Sequence, residues 1–124
     1  MKNVTVALMI LLISACASTQ AITEPVSVIE AFYEALNDGD LDTAISFVAD
    51  DARFIIDILY VGKAEIRDFY REDLDVGSYY ELSDLRADGE TVSWTEKGTI
   101  GSVTYDDPYE AVVQEGKIVS FTQG

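Results

Sequence analysis

Histidine is absent from the 124 residues and cysteine occurs once, which excludes Ser-His and Cys-His nucleophile systems, histidine or multi-cysteine zinc sites, and any internal disulfide. A site in this chain must use oxygen chemistry. Basic residues are scarce too: 8 Lys plus Arg stand against 23 Asp plus Glu, a formal net charge of -15. The acids are scattered from Glu24 to Glu115, so the chain lacks the dense cationic surface that nucleic acid requires. Proline occurs twice, and the residues are 48% hydrophobic and 10% aromatic, which predicts one globular domain with ample core.

One long apolar run exists, at the N-terminus. Met1-Lys2-Asn3, apolar residues 4–13 and Ser14-Ala15-Cys16 have the three parts of a secretory signal, and the run is about half what a membrane-spanning helix needs. Ile13-Ser14-Ala15-Cys16 resembles the lipobox of bacterial lipoproteins, in which the cysteine is lipidated and becomes the mature N-terminus. That resemblance implies a signal peptide over 1–15, an acylated Cys16 with a short tether over 16–24, and a cell-envelope location with the chain anchored to a membrane. Ala17 follows the cysteine in place of an aspartate that would favour the inner membrane, so in a Gram-negative host the expected site is the outer membrane, facing the periplasm. The polar linker over 17–23 reaches roughly 25 Å. A domain so acidic, held so near anionic headgroups, favours neutral or cationic ligands over anions.

The period of the apolar residues then sets the elements. Val26, Ile29, Phe32 and Leu36 recur at helical spacing, with Thr23 as the expected cap and Pro25 in the first turn. Asn37-Asp38-Gly39 ends that helix, and Asp40 caps a short second one carrying Leu41, Ala44, Ile45 and Val48 inward. The β-branched segment 54–59 predicts a strand covered on both faces, and residues 63–72 return to helical spacing through Ile66, Phe69 and Tyr70. Beyond Tyr79 the period becomes two: Tyr80-Leu82 or Glu81-Ser83-Leu85, then Val92-Trp94, Val103-Tyr105, Ala111-Val113 and Val119-Phe121, with turns at Asp88-Gly89 and Glu115-Gly116. Asp106-Asp107-Pro108 reads as a further turn. Three helices and a strand followed by antiparallel strands make an α+β fold over 25–124.

The stretches from Val28 to Asp42, Phe47 to Ala52 and Gly62 to Tyr70, with the Gly116-Lys117-Ile118-Val119 hairpin, resemble the superfamily of nuclear transport factor 2, which includes SnoaL-like polyketide cyclases and ketosteroid isomerases. The resemblance implies a cone in which a curved, mostly antiparallel sheet wraps three N-terminal helices and leaves a pocket at its open end. The isomerase branch uses a tyrosine on the first helix, an aspartate base on the first strand and a second acid on a late strand. Here those positions fall on Phe32, Ile56 and a place close to Tyr109. Tyr33 is rotated about 100 degrees around the helix from the first, and Asp57 lies on the opposite strand face from the second. All three positions therefore depart from the isomerase set.

The residues leave Asp57, Glu96 and Tyr109 as catalytic candidates. Burial would raise the Asp57 carboxyl toward the range of a general base, although a strand edge facing solvent or Arg53 explains it too. Glu96 shares strand parity with Val92 and Trp94, while Lys97-Gly98 favours a rim or a bulge there. Phe32, Ile56, Tyr60, Trp94, Tyr105 and Tyr109 are the expected pocket lining. Asp38, Asp40 and Asp42 imitate the opening of a calcium loop, but the sixth and twelfth places hold Thr43 and Ala49, so no metal or other cofactor is expected. The first reading is a membrane-anchored domain binding a small, mostly apolar, neutral or cationic molecule. The alternatives are a lyase, isomerase or hydrolase using Asp57 or Glu96 as base with Tyr105 or Tyr109 as donor, and a module that forms a homodimer through its sheet.

Overall fold

The computed structural model describes residues 21–124; the expected signal peptide, Cys16 and most of the expected tether lie outside the described residues. Helix α1, Pro25–Asn37, begins with Pro25 at its first position, where a missing N–H costs nothing. Its N-cap is Glu24, whose side chain makes no cap bond to the helix backbone, so the expected cap at Thr23 is corrected. Gly39 turns the chain at φ 75°, and Asp40 accepts from the Thr43 N–H (3.2 Å) and hydroxyl (2.6 Å) to start α2, Leu41–Ser46.

The predicted strand over 54–59 is in fact a hairpin. Strand β1 (Val48–Ile56) reverses at Asp57, which takes the left-handed conformation at φ 61°, and β2 (Ile58–Val61) returns along it with Ile56 opposite Ile58. Aspartate is among the few residues that tolerate this conformation. The reversal places β2 at the sheet edge, so Ile58, Leu59 and Val61 are exposed rather than covered. Helix α3 runs from Gly62 to Asp75.

Four long strands complete the sheet: β3 (Tyr79–Asp88), β4 (Thr91–Ile100), β5 (Val103–Gln114) and β6 (Lys117–Gln123). The order is β2-β1-β6-β5-β4-β3, antiparallel throughout except for the parallel pair β1–β6. Between Ser83 and Arg86 the register of β3 slips by one residue against β4, so Tyr80 and Leu82 share a side before the bulge and Leu85 turns the same way after it. Both alternations read from that segment are thereby partly right. The turn expected at Asp106-Asp107-Pro108 is not one: β5 passes straight through Pro108, which faces Thr95. The Pro108 carbonyl accepts from Gly124 N–H at the very end of β6, so the side where Pro108 lacks a donor has almost no strand left to serve.

The curved sheet wraps the helices, and its core runs from Val28, Ile29, Phe32 and Leu36 through Phe54, Ile66, Val92, Ile118 and Phe121. Phe32 meets Tyr33, Phe54 and Tyr70 edge to face, and Phe54 stacks on Phe121 at 4.5 Å. Among the described residues no helix is long and apolar enough to cross a membrane.

Candidate functional site

Inside the wrap, a carboxylate is held by phenols. Glu96 projects from the inward side of β4 with Val92 and Trp94, as its parity requires, and is only 3% exposed. Its Oε1 accepts a hydrogen bond from the Tyr33 hydroxyl of α1, and its Oε2 accepts from the Tyr105 hydroxyl of β5 at 2.7 Å. Burial pushes the Glu96 carboxyl above its ordinary value of 4.5, and hydrogen bonds from Tyr33, Tyr105 and Tyr109 pull back toward the charged form. All three phenols are themselves shifted upward, first by burial, so they remain protonated donors.

Two sequence-level expectations are corrected here. Tyr33 is not turned out of the site: α1 is enclosed on so wide an arc that Phe32 and Tyr33 are both buried. Glu96 is not on a rim, and Gly98 is not a bulge. Gly98 pairs with Tyr105 in regular register, and a Cβ on it would lie 2.1 Å from the Tyr105 ring. The glycine leaves the space through which that phenol crosses β4 to reach Glu96, two residues along the same side.

A second acid stands nearby. Asp73, half-buried on α3, accepts from the Tyr80 hydroxyl at 2.8 Å, and its carboxyl is raised from 3.8, chiefly by desolvation. Between Glu96 and Asp73 lies a space of about 20 Å³, room for roughly one water-sized group. Ile56, Phe69, Asp73, Tyr105 and Tyr109 line both this space and a wider hollow of about 260 Å³ that reaches the surface past Asp57, Ile100, Asp107 and Gln123. No lysine or arginine is among the lining residues of either.

Of the residues expected to line a pocket, Ile56, Tyr105 and Tyr109 meet here with Asp57, which stands exposed at the mouth rather than within an apolar strand. Phe32 belongs to the closed core, and Trp94 stacks on Tyr109 at 6.1 Å without reaching the hollow. Tyr60 packs on Phe69 at 4.8 Å, also outside the lining. Tyr33, Asp73 and Gly98 were missed by sequence reasoning. For Asp73 a signal existed, since it lies three and four residues beyond Tyr70 and Phe69 on the apolar side of its helix.

Residues 29–121 match the family model of the SnoaL-like domain. No curated protein gives a significant match. Among solved structures, the chain is similar to an NTF2-like protein of unknown function from Cytophaga hutchinsonii, with 16% identity, a TM-score of 0.75, and 86% of this chain and 91% of that one covered. It is also similar to an LEH-like epoxide hydrolase of M. tuberculosis (23% identity, TM-score 0.72, coverage 82% and 81%) and to TerC crystallised with polyporic acid (18% identity, TM-score 0.70, coverage 82% and 91%). At these identities the likeness is one of fold.

Proposed function

The chain belongs to the SnoaL-like domain family, and from that premise and the chemistry of its own hollow we propose that it binds a small, partly apolar organic cation, its ammonium group between Glu96 and Asp73. The observation that carries this reading is a pair of acids raised by burial, with no basic side chain lining the space between them. Desolvated like charges demand a compensating positive charge. A proton supplies it in acid, and a ligand cation supplies it near neutrality. The inner space matches the size of an ammonium group, while Ile56, Phe69 and the ring faces of Tyr105 and Tyr109 offer contact to its hydrocarbon part. Asp57 and Asp107 at the mouth add an attractive field for a cation.

The test compares phenethylamine, 2-phenylethanol and phenylacetate by calorimetry and thermal shift. The amine is expected to bind and raise the melting temperature, with the alcohol and the acid silent; Glu96→Gln and Asp73→Asn each weaken amine binding at least tenfold. Equal binding of the alcohol, or preference for the acid, overturns the assignment.

A second reading is favoured by the 2.7 Å contact between Tyr105 and Glu96. Tyr105 lines the hollow and could pass a proton between a bound molecule and the raised carboxyl, which is the requirement for acid–base turnover. A substrate screen in which Glu96→Gln and Tyr105→Phe both abolish a turnover supports it, and unchanged rates exclude it. We further propose that the domain is tethered to an envelope membrane through lipid on Cys16; mass spectrometry of the mature N-terminus, and release of Cys16→Ser from the membrane fraction, test this.

A further inference from the structure

A second concavity runs along β3, and Tyr33 and Tyr80, whose hydroxyls reach Glu96 and Asp73, form part of its wall. Strand β3 is one edge of the sheet, and α1 runs beside it, leaving a groove of about 530 Å³ between them. One point of that edge is already occupied. The Asn37 side chain accepts from the Tyr80 N–H at 2.9 Å and donates to the Tyr80 carbonyl at 2.7 Å, copying the two hydrogen bonds that a neighbouring strand would make. Tyr80 therefore turns its backbone away from β4. In an antiparallel ladder such residues alternate, so the N–H and C=O of Leu82, two residues on, face the groove as well. Among the described residues, no side chain or loop backbone takes them.

The groove walls specify what fits. Leu82 and Leu85 are half-buried on its floor, and Tyr79 stands exposed at one end. Glu30, Glu34 and Asp38 of the α1 side oppose Asp84 on the strand, and no basic residue lines the groove. Asn37 marks where an added strand would begin. A second copy of this chain is a poor occupant, because its own β3 brings Glu81, Asp84 and Asp88 to the same edge. We infer that the groove between α1 and the β3 edge is a docking site for an extended, basic peptide segment of a partner protein, paired by its backbone to Leu82 and by its lysines or arginines to Glu30, Glu34, Asp38 and Asp84. Strand addition of this kind draws affinity from main-chain bonds and selectivity from alternate side chains. The groove shares no lining residue with the wider hollow, and Tyr80 alone lines both the groove and the inner space.

The probe is an eight-residue peptide alternating valine and lysine, added to the full chain and followed by calorimetry and backbone amide exchange. Binding is expected with a Glu30→Lys/Glu34→Lys double variant weakened at least tenfold, and with the Leu82 amide newly protected. The same peptide methylated at alternate backbone nitrogens loses its donors and is expected not to bind. Because Glu30 and Glu34 are exposed and their reversal relieves the excess negative charge, the double variant is expected to melt no lower than the wild type, so a loss of binding reports the groove. Three results overturn the inference: spermine competing as well as the peptide at equal charge, binding that survives the charge reversal, or saturation without protection of Leu82.

Discussion

Glu96 is the residue on which the interior turns. Its carboxyl, and that of Asp73, are raised in the folded chain, so the folded state holds more protons than the unfolded one above their ordinary values. Stability from these groups is therefore fully present in acid and is lost as pH rises from about 4 through their raised values. Glu96→Gln should flatten that decline, read as urea-unfolding midpoints taken from pH 4.5 to neutrality, while a parallel curve would show that Glu96 does not carry it. Amine affinity should run the other way, strengthening over the same interval as protons leave. Gly98 supplies a second residue-scale expectation. Any side chain there collides with the Tyr105 ring, so Gly98→Ala should cost about 2 kcal/mol, within the range for overpacking. Gly98→Ala combined with Tyr105→Phe should then cost less than the two singly, because the phenol has already lost its partner's reach. Asp57 illustrates why some side chains resist sequence reading. Its parity in an apolar run was clear, but the reversal at φ 61° that sends it to the mouth depends on where β2 pairs, which no local pattern encodes.

At the scale of elements, local chemistry was mostly legible. Gly39 and Asp40 punctuate α1 and α2 as their residue types dictate, and Asp40→Ala should lower stability, measurable by chemical denaturation. The exposed Asp40 carboxyl is held below its ordinary value by Thr43, so that contribution fades only below about pH 4, opposite in sense to Glu96. The inward parity of β4 followed from alternation alone, which placed Glu96 on the side of Val92 and Trp94, whereas the strand order, with β6 between β1 and β5, did not. What alternation cannot supply is a bulge. The slip in β3 satisfies Leu82 and Leu85 together, and a reader of the sequence sees two competing registers where the sheet uses both. Pro108 misled for a related reason, since a proline in a strand is tolerated where the neighbouring strand ends, and that end is a tertiary fact.

For the whole molecule the excess of acids is the governing quantity. Few of them are paired: Asp42 with Arg67, Asp50 with Lys63 and Asp68 with Arg71 are the ion pairs among the described residues, and all are at the surface. Self-repulsion at a formal charge of -15 opposes the compact state. Raising sodium chloride from about 10 mM, where charges interact over roughly 30 Å, to about 1 M, where they do so over roughly 3 Å, should raise the melting temperature. A melting temperature that falls with salt would show that the surface pairs outweigh the repulsion. The same field explains why the hollow and the β3 groove both suit cations. The cone itself was legible from the spacing of its helices and strands together with the family resemblance. The two concave sites were not, because each is assembled from elements distant along the chain.

The placement of the last strand has a consequence in time. Because β6 lies between β1 and β5, it alone joins the hairpin of β1 and β2 to the meander of β3, β4 and β5. Until β6 has emerged from the ribosome, the nascent sheet is in two parts with no strand between them. The sheet thus cannot be completed in stages as it emerges; it waits for β6, and a premature stop codon before Lys117 would leave a product for proteases rather than a shortened cone.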